Sequence, residues 1–237
     1  MHFHLPKPLH GWREFAGEVG IIVLGVLIAL AAEQGIESLR WREKVDRTRE
    51  LLDSELHDDA LHAYGWLATR PCLDKQLDAE DAAVRAGRTS GSIAPSAPYK
   101  PELDLFTSDA WVNARSLEVT DHMNPEAMRT YSRLFFFPTE LQSDIVQLHQ
   151  LAAELRPLSA GLQHVSSDEA GEYQRIIGQS RELQNRTALA EQILLIQASR
   201  AQIRLSAKEM KEAVEERKTL HGACAAPADL RIRAGEG

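Results

Sequence analysis

The chain has 237 residues, 43% hydrophobic and 26% charged, with 35 acidic against 27 basic side chains and a net charge of −8. That balance argues against a nucleic-acid partner, because neutralising phosphates needs a basic surface. The two cysteines form no Cys-x-x-Cys pair and have no histidine at zinc spacing, so no zinc framework is expected.

Residues 1–14 read as a short N-terminal tail and 15–34 as an apolar anchor for a lipid bilayer. The uncharged stretch Val19–Ala32 covers roughly 21 Å as a helix, short of the ~30 Å hydrocarbon core. Phe15 extends it at the cost of including Glu18, which lies near enough the end to reach the headgroups, and Glu33 closes it. Trp12 and Trp41 bracket the segment at about 43 Å along one helix, close to a whole bilayer with its interfaces. Two other readings compete: a cleaved signal with Ala29-Leu-Ala31 as its cut site, and the core helix of a soluble protein. Glu14 and Glu18 beside Lys7 and Arg13 make a scarcely basic leader, and helical patterning continues past Ala31, so the anchor is preferred. Glu18, Gly25, Ala29 and Ala32 share one face, and Gly25-x-x-x-Ala29 allows close backbone approach, which makes a homo-oligomer an expectation.

The opening His4-Leu-Pro-Lys-Pro-Leu-His10 and the run Trp12-Arg-Glu-Phe-x-Gly-Glu-Val-Gly-Ile-Ile-Val-Leu-Gly-Val-Leu-Ile-Ala-Leu-x-Ala-Glu-Gln34 resemble the start of a family of small, uncharacterised bacterial membrane proteins. The resemblance fades after residue 50. It implies an N-terminal anchor and a helical extramembrane domain, and it carries over no activity or functional residue.

Orientation is read two ways. Lys7 and Arg13 precede the segment, whereas Arg40, Arg42, Lys44, Arg47 and Arg49 follow it, which by the positive-inside rule puts the C-terminal part in the cytoplasm. Cys72 and Cys224, if paired in an oxidising compartment, would close a loop of about 150 residues and contribute on the order of 5 kcal/mol; the alternative is two unrelated thiols. The resemblance points to export as well, and the expectation is a single-pass bacterial inner-membrane protein with a periplasmic domain.

Residues 35–221 are expected to be helical, and 222–237 a C-terminal tail. Trp41, Val45, Thr48, Leu52, Leu56, Ala60, Ala63 and Leu67 recur at helical spacing, so the anchor should continue to Thr69 and stop at Arg70-Pro71. A short helix from Cys72 to Ala86 should follow, closed by Gly87. Residues 88–105, with Pro95, Pro98 and Pro101, read as a loop that either binds or merely connects. Ser108 can cap a helix carrying Trp111, and Asn124-Pro125 is a strong helix start. Phe135, Phe136 and Phe137 are read as core filling at a helix corner. Thr139 opens another helix that should end before Pro157. A last helix starts at the capping box Ser166-Ser-Asp-Glu169 and runs to about His221. In it Leu189, Ile196, Ile203 and Met210 form one seven-residue series, and Ile193, Arg200, Ala207 and Val214 a second, so Arg200 would lie in a packing seam. The fold class is all-α: a transmembrane helix continuing into an antiparallel bundle with one long C-terminal helix.

Nucleotide-binding, zinc-protease and serine-hydrolase signatures are all missing, so neither an enzyme nor a cofactor is expected. Glu55, Asp59 and His62 share a helix face and could hold a divalent metal, but no matching acid–histidine pair occurs on another helix, and a solvated acidic face is preferred. Two function classes remain. One is a non-enzymatic interaction or scaffold module whose partners are the bilayer and another membrane or envelope protein. The other is a small-molecule sensor with a pocket drawn from Trp111, Tyr131, Phe135 and Arg200.

Overall fold

A computed structural model describes residues 11–102 and 106–228. The tail before Gly11, the end of the expected proline-rich loop at 103–105 and the last nine residues of the C-terminal tail lie outside the described residues. Among the described residues six α-helices follow in chain order: α1 Trp12–Ser90, α2 Asp109–Ser116, α3 Pro125–Leu134, α4 Phe136–Ala160, α5 Ser167–Arg200 and α6 Ala207–His221, with a 3-10 turn at Val119–His122. Among the described residues the one extended pairing is a single bridge between Ile93 and Leu162. The protein is all-helical.

α1 is the axis of the molecule. Its residues 12 and 15–40 touch nothing else among the described residues enough to lose their exposure. Packing begins at Trp41, follows the expected stripe through Leu52 and Leu56, and from Ala63 to Thr69 buries every residue. Trp66 is fully buried there. A helix surrounded on all sides must be apolar around its circumference, and Ala63-Tyr-Gly-Trp-Leu-Ala68 supplies that.

α5 runs antiparallel to α1: Gln184 meets Asp74, and Arg88 meets Gln174. The six-residue link from α4 to α5 makes those two antiparallel as well. α6 instead lies parallel to α1. His57 faces Glu209, Gly65 faces Arg217 and Cys72 is bonded to Cys224, three pairs with the same sequence separation of 152. A Cβ on Gly65 would lie 2.8 Å from Arg217 Nε, so this glycine makes room for the guanidinium.

Several expected boundaries are corrected. Pro71 does not end α1, which continues through it to Ser90. A proline inside a helix removes one hydrogen bond and crowds the preceding turn, at about 3 kcal/mol. Here Ala68 O in that turn accepts the amide of Ala226, and Cys72, Leu73, Leu77 and Val84 bury the helix beyond the proline. The helix closes at Gly91, in the left-handed region at φ 75°, and not at Gly87. Gly87 is needed for another reason: a Cβ there would meet Ile93 Cγ1 at 2.4 Å.

α4 starts at Phe136 and runs past Pro157 to Ala160, because buried Leu158 beyond the proline is fixed by its carbonyl, which accepts the amides of Ser96 and Gly161. The single C-terminal helix is in fact two. Gln202 takes φ 69°, and Ser206 opens α6 with its own capping box, Ser206 Oγ accepting from Glu209 N at 3.2 Å and Glu209 Oε2 from Ser206 N at 2.7 Å. The heptad series therefore crosses a break. The buried seam of α5 is a different face, Ile177, Ser180, Gln184, Thr187, Glu191, Leu194 and Ala198.

The Cys72–Cys224 bond, with Cα atoms 5.2 Å apart, closes a loop of 152 residues and docks the segment after α6 on α1. Replacing both cysteines by alanine is expected to lower unfolding stability by about 3–5 kcal/mol and to free the chain after His221 for proteolysis. Thermal melts with limited digestion check this, and an unchanged melting temperature with a protected tail would contradict it.

Candidate functional site: the bare segment, the strap and the aromatic corner

The apolar segment is the largest feature that the fold leaves unused. The apolar window near the N-terminus of α1 has none of its surface buried inside the protein, and Ile21 is 74% exposed. It is one helix long and apolar enough to cross a membrane. The reading as a core helix of the folded domain is thereby corrected. Phe15, Glu18, Gly25, Ala29 and Glu33 are all exposed on it, and nothing lies within 4 Å of a Cβ built on Gly25. Trp12 stands free at its start, its ring 6.3 Å from that of Phe15.

Trp41 does not mirror Trp12. It is half-buried at the base of the bundle, stacked on His122 at 3.7 Å between centroids, with Lys44 Nζ 4.5 Å from its ring. Lys44 also donates to Leu117 O at 3.3 Å. Cation–π and stacking contacts thus fix the first turn of the bundle to the 3-10 turn.

The proline-rich loop is a strap. Its backbone has almost no regular pairing, so its amides need acceptors, and side chains of α1 supply most of them. Tyr99 N donates to Glu80 at 2.9 Å and Lys100 N to Gln76 at 2.9 Å, while Phe106 N reaches Gln142 of α4 at 3.1 Å. Glu102, on the strap itself, pairs with Arg217 and His221 of α6.

The residues considered for a metal belong to this strapping. Glu55 accepts from Thr107 Oγ1 at 2.6 Å and from the amides of Asp109 and Ala110 at 2.8 and 2.9 Å. It therefore caps α2, a role expected of Ser108, whose side chain makes no cap bond. Asp59 accepts from Thr107 N at 3.1 Å and is buried, which pushes its carboxyl up to about 7. His62 stands edge-on to Phe106. The acidic face is not solvated, as the sequence suggested; its oxygens hold backbone.

Of the pocket candidates, Trp111 stacks on Phe135 at 5.8 Å with the rings 2° from parallel. Tyr131 donates to Asp53 Oδ1 at 2.7 Å, and burial together with that carboxylate pushes its hydroxyl up to about 12. Phe135 and Tyr131 are buried, whereas Arg200 is exposed in the last turn of α5 and lies in no seam. A cleft of about 340 Å³ beside Tyr131 is lined by Arg49, Asp53 and Ala201 but not by Trp111 or Phe135. The four do not converge on one cavity. Of the three phenylalanines, Phe135 alone fills the core; Phe137 is half-buried and Phe136 exposed.

Sequence reasoning missed the buried Glu80, the buried Asp144 with its exposed partner Arg186, and the Glu102–Arg217–His221 cluster. Gly65 was the one available signal for Arg217. The chain matches no protein-family model, no curated protein and no solved structure.

Burial raises the Glu80 carboxyl from 4.5 to about 7. Below the lower value both folded and unfolded chains hold the proton; as pH rises through that window the unfolded chain releases it first, and stability falls. Glu80→Gln keeps an acceptor for Tyr99 N and removes the ionisation. Urea unfolding across pH should show the variant gaining on the native chain from near zero at about pH 4.5 to on the order of 1–3 kcal/mol above about pH 7. A difference that does not change with pH would contradict this.

Proposed function

We propose that this chain is a single-pass protein of the bacterial inner membrane that holds a rigid helical bundle on the periplasmic side, where it binds other membrane or envelope proteins without chemistry of its own. One observation carries the reading: an apolar helical surface of membrane-spanning length on which the rest of the described residues pack nothing. Such a surface in water is far larger than the apolar patches that soluble monomers expose, and lipid is the solvent that removes its cost. The opening motif resembling a family of small membrane proteins supports the same reading.

The stalk from Glu33 to Arg40 carries the polar side chains suited to the headgroup layer. Beyond it the part of α1 from Trp41 to Ser90 would extend about 75 Å. The Cys72–Cys224 bond supports an oxidising compartment, against the lysine and arginine count at the two ends of the segment. The face bearing Glu18, Gly25, Ala29 and Ala32, unoccupied within the chain, suits association with a second copy.

Labelling of intact cells with a membrane-impermeant thiol reagent tests the placement. The expected result is labelling of Cys72 and Cys224 only after reduction. Labelling that needs permeabilisation and no reductant would put the bundle in the cytoplasm with free thiols.

A further inference from the structure

We propose that the groove between the strap and α4 binds a small soluble organic anion, a carboxylate or phosphate monoester on a short apolar body, with Lys100 and Arg156 as its charge partners. The groove encloses about 540 Å³, the size of a small-molecule site. Its cationic lining residues are Lys100 and Arg156, His149 stands beside them, and no acid is among the lining. That is unusual on a chain of net charge −8. The clefts beside Tyr131 and along α4 and α5 mix signs, Arg49 with Asp53 and Glu126 in one, Arg186 with Glu154 and Glu182 in the other.

Among the described residues the nearby acids do not compensate the groove. Glu102 is taken by Arg217 and His221, and Glu80, under the strap, is 0% exposed and engaged by Tyr99 N. Among the described residues neither Lys100 nor Arg156 has an ion-pair partner. His149 Nε2 is a buried ring nitrogen without a hydrogen-bond partner among them. An anion seated between the two cations would make a charge-assisted contact with each.

The cations stand on fixed backbone. Lys100 lies between Pro98 and Pro101 with its amide held by Gln76, and Arg156 sits on α4 directly before Pro157. Prolines of the strap and Ala152 and Ala153 of α4 form walls that lose no side-chain entropy on binding, which suits a short apolar body. Should the apolar segment lie in a bilayer, Gln76 is about 66 Å along α1 from Ala32, so the headgroups of that bilayer cannot be the ligand.

Calorimetric titration of the full chain in detergent with phenyl phosphate, benzoate and inorganic phosphate tests it. Phenyl phosphate or benzoate should bind at one site, more tightly than inorganic phosphate, and whichever is stronger identifies the anionic group. Lys100→Gln and Arg156→Gln should each weaken that binding about tenfold, with Lys100→Arg retaining it and melting temperatures unchanged. No saturable binding of either organic probe, or binding that survives either neutral substitution, overturns the proposal.

Discussion

Everything in this protein depends on α1 remaining one helix from Trp12 to Ser90. Among the described residues its first 30 or so have no neighbour and its middle is enclosed on every side, so the same backbone is both free rod and core axis. The turn at Pro71 decides whether that arrangement exists. A proline there removes the helical donor to Leu67 O and ought to break the rod, and it is kept because tertiary structure holds the turns around it. Ala226 supplies an amide to Ala68 O, the neighbouring Cys72 is tied to Cys224, and Leu73 and Leu77 are buried just beyond. Side-chain burial of about 1.5–3 kcal/mol per leucine, taken over both, offsets the proline cost of about 3 kcal/mol.

The second layer of organisation is polar and buried. The strap crosses the bundle without forming strand or helix, and carboxylates of α1 receive its amides. Burying Glu80 and Asp59 is costly, which their raised titration ranges record. Such groups add little net stability over apolar ones, but they define a single path for a segment whose own sequence prefers none. Glu102 extends this logic to α6: by pairing with Arg217 and His221 it ties strap, axis and last helix together close to the disulfide. The α6 register is therefore set three times over, by Glu209 on His57, by Arg217 over Gly65 and by the disulfide.

The helical class, the stripe from Trp41 to Leu67, the Asn124 cap and the Ser166 box were legible because each rests on local chemistry with a fixed spacing. The Cys72–Cys224 pairing was legible as a possibility, and its geometry only in the fold. Breaks were misplaced where local rules met tertiary packing. Pro71 and Pro157 read as stops, yet both lie in helices held by buried leucines. Ser206-x-x-Glu209 carries the same capping signature as Ser166-x-x-Glu169, but the seven-residue series running through it suggested continuity. That series selected the wrong face, because the true seam of α5 holds Ser180, Gln184, Thr187 and Glu191, which no apolar pattern reveals. The roles of Glu55, Asp59 and Glu80 were hidden for a related reason: an acid on a helix reads as solvated until a distant loop is laid across it.

An axis shared by the apolar segment and the bundle transmits tilt and rotation of one directly to the other, with no flexible linker between them. The most direct test of that continuity is a distance across Pro71. Genetically encoded spin labels at Ser38 and Ala79, both exposed positions on α1, leave the disulfide intact, and the full chain can be measured by pulsed electron paramagnetic resonance in a bilayer disc. A continuous helix gives a narrow distribution near about 62 Å. A distribution centred below about 50 Å, as from a chain that turns back at the proline, would contradict the single-axis account.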